Sequence, residues 1–247
     1  GGVSDPGDNV GQFNSIALDA SGNARIAYWD ATHNKLKFAA CMGTTCTTHT
    51  VDNEGSNGRY ASLVLLQGGI PAIAYRAAVP TMDGFTSVVR LARASSATPA
   101  RSSDWTVSTV ASLPSRCRAS DCTTGQMCIE QTGRCGTPAM GQSAIPANFI
   151  EAVPPGALFI NLVVDSMNRL SIVWYNRDRG NLMLAREDAM GRFGAPVILD
   201  GEGAMQADTG DRGIYASAVM ARDNTLHVAY VDGWEERLLY LRVQNGM

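Results

Sequence analysis

Positive charge is scarce in this sequence: 20 Lys and Arg residues face 23 Asp and Glu, a formal net charge of −3 with the 3 histidines neutral. A chain without basic excess lacks the electrostatic footprint that holds a phosphate backbone, so no nucleic-acid partner is expected. Long apolar runs are also missing. None approaches the roughly 18 residues that a membrane-crossing helix needs, so no membrane span is expected. The opening residues, Gly1 to Val10, are polar and Gly-rich, unlike a signal peptide, which leads to the expectation of a processed or excised polypeptide. Charged residues make up only 17% and aromatic residues 7%, whereas 45% of the chain is hydrophobic. That is enough apolar material for a sizeable core and excludes disorder.

What is present is repetition. The segment Ser15-Ile16-Ala17-Leu18-Asp19 through Ile26-Ala27-Tyr28-Trp29-Asp30 recurs as Ser62 to Leu66 through Ile73 to Ala77. It recurs again as Asn161 to Asp165 through Ile172 to Asn176, and as Ser217 to Ala221 through Val228 to Asp232. The spacings are 47, 99 and 56 residues. Two positions before each Ser or Asn stands an aromatic residue, Phe13, Tyr60, Phe159 and Tyr215, which anchors the alignment. A third apolar run follows in every copy (Leu36 to Ala39, Val89 to Ala92, Leu182 to Ala185, Leu238 to Leu241). A fourth follows in three copies: Thr48 to Val51, Trp105 to Val110 and Pro196 to Leu199.

The runs are β-branched and aromatic, bounded by Ser21-Gly22-Asn23, Gly68-Gly69, Met167-Asn168 and Asp223-Asn224, which suit tight hairpins. Each copy therefore reads as a four-stranded antiparallel meander. A four-stranded repeat of this length is the signature of a β-propeller blade, so an all-β propeller of about three and three-quarter blades is expected. Residues 1–14 read as the link after an outermost strand, and the last copy stops after its third strand. A small closed ring, a place in a longer propeller and association of copies all remain open, because an incomplete edge needs cover.

The 99-residue spacing holds an insertion of about 40 residues, 115–156, between blades one and two (1–114) and blades three and four (157–247) of one propeller domain. It carries Cys117, Cys122, Cys128 and Cys135 among glycines, and reads as a disulfide-stapled module too small for its own core. Zinc is disfavoured because the chain has no Cys-x-x-Cys pair and His33, His49 and His227 lie elsewhere. Cys41 and Cys46 flank the turn of a hairpin in blade one, a spacing that suits a local bridge. Six pairable cysteines point to an oxidising compartment: secreted, periplasmic or cell-surface.

The pattern Leu18-Asp19-Ala20-Ser21-Gly22-Asn23-Ala24-Arg25-Ile26-Ala27-Tyr28-Trp29-Asp30, followed by Leu36-Lys37-Phe38-Ala39, resembles the repeat of secreted bacterial sialidase-like (BNR-type) propeller proteins. The insert from Cys117 to Cys128, ending Thr132-Gly133-Arg134-Cys135, resembles small cysteine-rich modules of myxobacterial-type surface proteins. These resemblances imply fold and location. They say less about activity, since propellers carry hydrolases, lyases, lectins and scaffolds. The Asp-box expected of such sialidases is absent; Ser102-Ser103-Asp104-Trp105 lacks its glycine and spacing.

In a propeller the links between blades and the turns between second and third strands share one face. That face should collect Asp5, Asp8, Asp52, Glu54, Asp200, Glu202, Asp208 and Asp211 from links, and Asp30, Asp178, Asp232, Glu235 and Glu236 from turns, and should be acidic. Asp200, Glu202, Asp208 and Asp211 are loose calcium candidates, since hard cations want several oxygens; no other cofactor is expected. At the end of the second strands the equivalent positions are Trp29, Arg76, Tyr175 and Val231, a varying set on a repeating frame. Of these, Trp29, Arg76 and Tyr175, with Asp30, Asn176, Asp232 and Trp234 beside them, are the candidate ligand-binding residues, aromatics and Arg suiting sugar stacking and hydrogen bonding. Tyr28, Tyr75, Trp174 and Tyr230, one position earlier, repeat so regularly that they read as packing between blades. The three histidines are scattered, and no catalytic residue is nominated.

The first expectation is a non-catalytic extracellular binding, scaffold or adhesion module with a protein or glycan partner at the cell surface. The alternative is a lectin-like carbohydrate-binding propeller, or a sialidase-like polysaccharide hydrolase or lyase.

Overall fold

The computed structural model describes residues 7–81, 84–113, 122–129, 134–141, 156–202 and 210–244. Four antiparallel meanders follow one another. Blade one holds β1 (Val10–Leu18), β2 (Ala24–Asp30), β3 (Lys35–Met42) and β4 (Thr45–Asp52). Blade two holds β5 (Ser56–Leu65), β6 (Pro71–Thr81), β7 (Gly84–Ala94) and β8 (Trp105–Ser112). A two-stranded hairpin, β9 (Met127–Ile129) and β10 (Arg134–Gly136), comes from the insert. Blade three holds β11 (Ala157–Val164), β12 (Leu170–Asn176), β13 (Asn181–Arg186) and β14 (Val197–Asp200). Blade four has three strands among the described residues: β15 (Arg212–Met220), β16 (Leu226–Asp232) and β17 (Arg237–Val243). The fold is a β-propeller, as the repeat implies.

Blades pack face to face, each boundary with its own core. Phe38, Leu36, Leu63, Ile73, Tyr75 and Trp105 fill the first. Leu91, Leu162, Leu170, Ile172 and Trp174 fill the second, and Val173, Leu184, Leu226, Val228 and Tyr230 the third. Each fully buried Leu, Ile or Phe contributes roughly 1.5–3 kcal/mol, so the boundaries hold the arc together. Tyr75, Trp174 and Tyr230 are indeed buried between blades. The hydroxyls of Tyr75 and Tyr230 donate to Asp52 and Asp200, each at the end of the preceding blade's outermost strand.

The first strand of each blade lines the axis, β1 beside β5, β5 beside β11 and β11 beside β15. Gly58, at φ 103°, lets β5 run against β3; a Cβ there would stand 2.8 Å from the Leu36 Cα. Asn57 completes that junction, accepting from the Leu36 N–H at 2.7 Å and donating to the Asp52 and Glu54 carbonyls.

Cys41 and Cys46 face each other across the β3–β4 hairpin and are bridged, and Cys122 is bridged to Cys135. Cys128 is disulfide-bonded as well, and Cys117 lies outside the described residues. These bridges are compatible with an oxidising compartment. None of the helices among the described residues is long and apolar enough to cross a membrane.

Candidate functional site

The four aromatic residues that anchor the repeat sit in β-bulges, where the register of each axial strand shifts against its neighbour. Phe13, Tyr60, Phe159 and Tyr215 have φ of 49°, 55°, 52° and 54°. A left-handed backbone costs an aromatic residue on the order of 1 kcal/mol or more, and it recurs in all four blades. A bulge re-aims a side chain, and here it turns four rings toward one another. Phe13 and Tyr60 stand 4.4 Å apart between centroids, Tyr60 and Phe159 5.5 Å, Phe159 and Tyr215 4.8 Å. The rings form a continuous aromatic arc along the axis. Its two ends are open, Phe13 being 37% exposed and Tyr215 70%.

Cations gather beside it. The Arg59 guanidinium lies 4.4 Å over the Trp29 ring, and Trp29 in turn touches Phe13 at 5.8 Å. Arg59 makes no ion pair among the described residues, and its Nε is buried without a hydrogen-bond partner. Burial lowers its pKa, with the neighbouring Tyr60 opposing. Burial raises the Tyr60 pKa, while the charges of Arg76, Arg59 and Arg177 pull it back. Three arginines therefore act on one ring of the arc. Arg76 is buried, its Nε donating to Ser87 Oγ at 3.0 Å; Arg177 is exposed on the β12–β13 turn, its N–H donating to the Gly156 carbonyl. Gly156 has no room for a side chain, since a Cβ would fall 2.2 Å from Ser87 Oγ.

The sequence-selected residues lie around this arc rather than in it. Trp29 and Tyr175 are buried beneath it, Tyr175 contacting Phe159 at 6.4 Å and donating its hydroxyl to Asp211 Oδ1 at 2.9 Å. Burial, then the bond to Asp211, pushes the Tyr175 hydroxyl far above its ordinary range. Arg76 does not end its strand: β6 continues to Thr81, so the blade-two hairpin extends beyond the others. Asn176 accepts from the Asp178 N–H, and Trp234 is exposed.

Several carboxylates expected on the acidic face are engaged by turns and by arginines, while Asp8, Glu54, Glu202, Glu235 and Glu236 are exposed. Asp30, 2% exposed, accepts from the His33 N–H and ring and faces Lys37 at 3.9 Å. Burial opposes its charge, but the His33 bonds and the Lys37 charge prevail and its pKa is lowered. Asp52 is held by Tyr75 and Arg90, and Asp232 accepts from the Trp234 and Glu235 N–H groups beside Arg212 and Arg237.

Of the calcium candidates, Asp200 is bonded to Arg212 and Tyr230, Asp211 to Tyr175, and Glu202 is exposed. Asp208 lies outside the described residues. Among the described residues no group of three or more His, Cys, Asp or Glu side chains converges as a cation would require. The histidines are apart too: His33 on its turn, His49 bonded to the Trp105 indole, His227 to the Tyr240 hydroxyl.

In the sequence the four aromatics stand out as alignment marks and not as a site, and Arg59 and Arg177 are not among the sequence candidates. The signal was available at Arg59, which directly precedes an anchor aromatic, but its approach to Trp29 crosses a blade boundary.

The sequence matches no family model and no curated protein. Solved structures do match. An α-L-arabinofuranosidase from Lactobacillus brevis superposes over 96% of this chain and 69% of its own, with TM-score 0.53 and 13% identity. A protein of unknown function from Dyadobacter fermentans superposes over 97% and 66%, with TM-score 0.56 and 13% identity. A Hadza microbial sialidase superposes over 96% and 45%, with TM-score 0.51 and 10% identity. The chain thus spans about two-thirds of the first two and under half of the third. At this identity the likeness shows the fold.

Proposed function

We propose that this propeller recognises carbohydrate at its axis, with the aromatic arc as a stacking surface and Arg59, Arg76 and Arg177 selecting sugars that carry a negative charge. The observation that carries the reading is the meeting of four bulge-borne aromatic rings with an arginine, Arg59, that has no acidic partner among the described residues. Sugar rings present apolar C–H faces to aromatics, and a guanidinium grips a carboxylate or sulfate with directed N–H donors. The names of the solved neighbours, an arabinofuranosidase and a sialidase, favour carbohydrate over a protein partner.

The test is a glycan panel containing arabino- and galacto-oligosaccharides, sialyllactose and oligogalacturonate, probed with the intact chain and with Tyr60→Ala. Binding that favours the acidic members and falls tenfold or more in Tyr60→Ala, with unchanged circular dichroism, supports the reading. Silence across the panel, or equal binding by the variant, overturns it.

The same names favour a second reading, cleavage of the bound glycan. Hydrolysis needs two carboxyl groups at a set separation, and Asp30 and Asp232 are already engaged within their blades and Asp52 across the first boundary. Release of reducing ends from the same panel decides it.

A further inference from the structure

Three blade boundaries in this chain use one hydrogen-bonding device. In blade one Ser15 Oγ accepts from the Leu63 N–H of blade two at 3.0 Å, and Ser62 Oγ of blade two accepts from the Leu162 N–H of blade three at 2.9 Å. Asn161 of blade three accepts from the Ala218 N–H of blade four at 3.2 Å and also donates to the Ala216 carbonyl at 2.7 Å. The acceptor is always the repeat's Ser or Asn, and the donor is always the residue just after the next one. Continued one step in each direction, the rule names Ile16 as a donor for a blade before blade one, and Ser217 as an acceptor for a blade after blade four. Ser217 is exposed, and neither group has such a partner among the described residues.

The faces around these two groups carry exposed apolar side chains, with His227 and Arg242 on the blade-four face and Lys37 on the blade-one face. On blade one Ile16 is 63% and Leu18 64% exposed, with Ile26 paired beside Ile16. On blade four Val219 is 62%, Leu238 75% and Tyr240 59% exposed. Register puts Ser217, Ala229 and Tyr240 on one face, with Val231 and Leu238 beside them. Large aliphatic side chains clustered at this exposure on a sheet face mark an interaction surface rather than a solvated one. The aromatic arc also stops at these faces, with Phe13 at one end and Tyr215 at the other.

We propose that copies of this chain associate head to tail, blade four of one copy packing on blade one of the next as consecutive blades pack within the chain. The occupant is a second copy because each end carries what the other lacks. Ser217 supplies the acceptor for the Ile16 N–H, Val219, Leu238 and Tyr240 meet Ile16, Leu18 and Ile26, and Tyr215 extends the arc onto the partner's Phe13. Such a contact joins two different surfaces, so it builds a ring where the rotation closes and a filament where it does not. The inference does not depend on the glycan reading, since it rests on the outer faces and their repeat chemistry.

The test is sedimentation velocity on the intact chain over a wide concentration range, together with Ile16→Glu and Leu238→Glu. Both substitutions fall on exposed side chains, and unchanged circular dichroism and melting verify their folding. The expected result is an assembly of two or more wild-type chains and monomers for each variant. An equimolar mixture of the two variants, each retaining one intact face, should give dimers and nothing larger. A wild-type chain that stays monomeric throughout overturns the proposal, as do variants that assemble like the wild type.

Discussion

The Tyr75 hydroxyl donates to Asp52 Oδ2 across the first blade boundary at 2.7 Å, and Arg90 Nη1 holds the same oxygen at 2.7 Å. All three residues are buried, and the network reaches the surface through Glu54, which accepts from Arg90 Nη2 at 3.3 Å. Burial, then the adjacent Asp52, holds the Tyr75 hydroxyl protonated far above its ordinary range. Tyr75→Phe should cost about 1–2 kcal/mol by removing one donor. Arg90→Met should cost more, about 3–5 kcal/mol, because it leaves the Asp52 charge buried without its cation. Urea unfolding measures both, and equal losses would contradict the network's hierarchy.

Acid should weaken the fold through specific turns. The pKa of Asp165 is lowered: burial opposes its charge, but backbone and side-chain bonds from Arg169 and the Met167 N–H outweigh it. Asp30 is lowered in the same direction. A carboxylate whose folded pKa lies below its unfolded one contributes stability that is present above the unfolded value and lost as pH falls through the folded value. Melting temperature should therefore drop as pH falls below about 4, and Asp165→Asn should flatten that limb while lowering the plateau at neutral pH. An unchanged acid limb in the variant would contradict the assignment.

Arg177 should act on charge and not on folding. It is exposed, and Arg177→Ala should leave urea stability within about 0.5 kcal/mol of the wild type. The same variant should lose affinity for oligogalacturonate but not for its methyl ester, and the wild-type preference for the acid form should shrink as salt rises. Isothermal titration at two salt concentrations checks this.

Reduction should be a local event. The Cys41–Cys46 bridge closes a loop of only 5 residues' separation, worth roughly 2 kcal/mol by chain-entropy arithmetic. Cys122–Cys135 ties β10 to the segment preceding β9, outside the three boundary cores. Dithiothreitol should open the insert to proteases while the blade signal in circular dichroism persists. Loss of the β-sheet signal on reduction would mean that the bridges support the blades themselves.

The propeller was legible because it is written four times. Strand periodicity, hairpin residues and the register of Phe13, Tyr60, Phe159 and Tyr215 agree across copies, and the Cys41–Cys46 bridge follows from its place at a hairpin turn. The site was less legible because blade boundaries bring together residues far apart in sequence. Arg59 and Trp29 meet only once β5 docks beside β1, and the Arg177 charge reaches Tyr60 only across the second boundary. Composition counts charges, whereas Arg90 and Arg212 pair with Asp52 and Asp200 across blade boundaries that spacing does not encode. The bulge backbone that aims the four aromatics was invisible too, since no Gly or Asn marks those positive-φ positions.

The central claim, carbohydrate recognition by the axial arc, is tested most directly by titrating oligogalacturonate calorimetrically into the intact chain, Tyr60→Ala and Phe159→Ala. Saturable binding to the intact chain, weakened tenfold or more in both variants with their folding unchanged, is the predicted result. Saturable binding that survives both substitutions would place the ligand elsewhere and contradict the account, as would no binding by the intact chain.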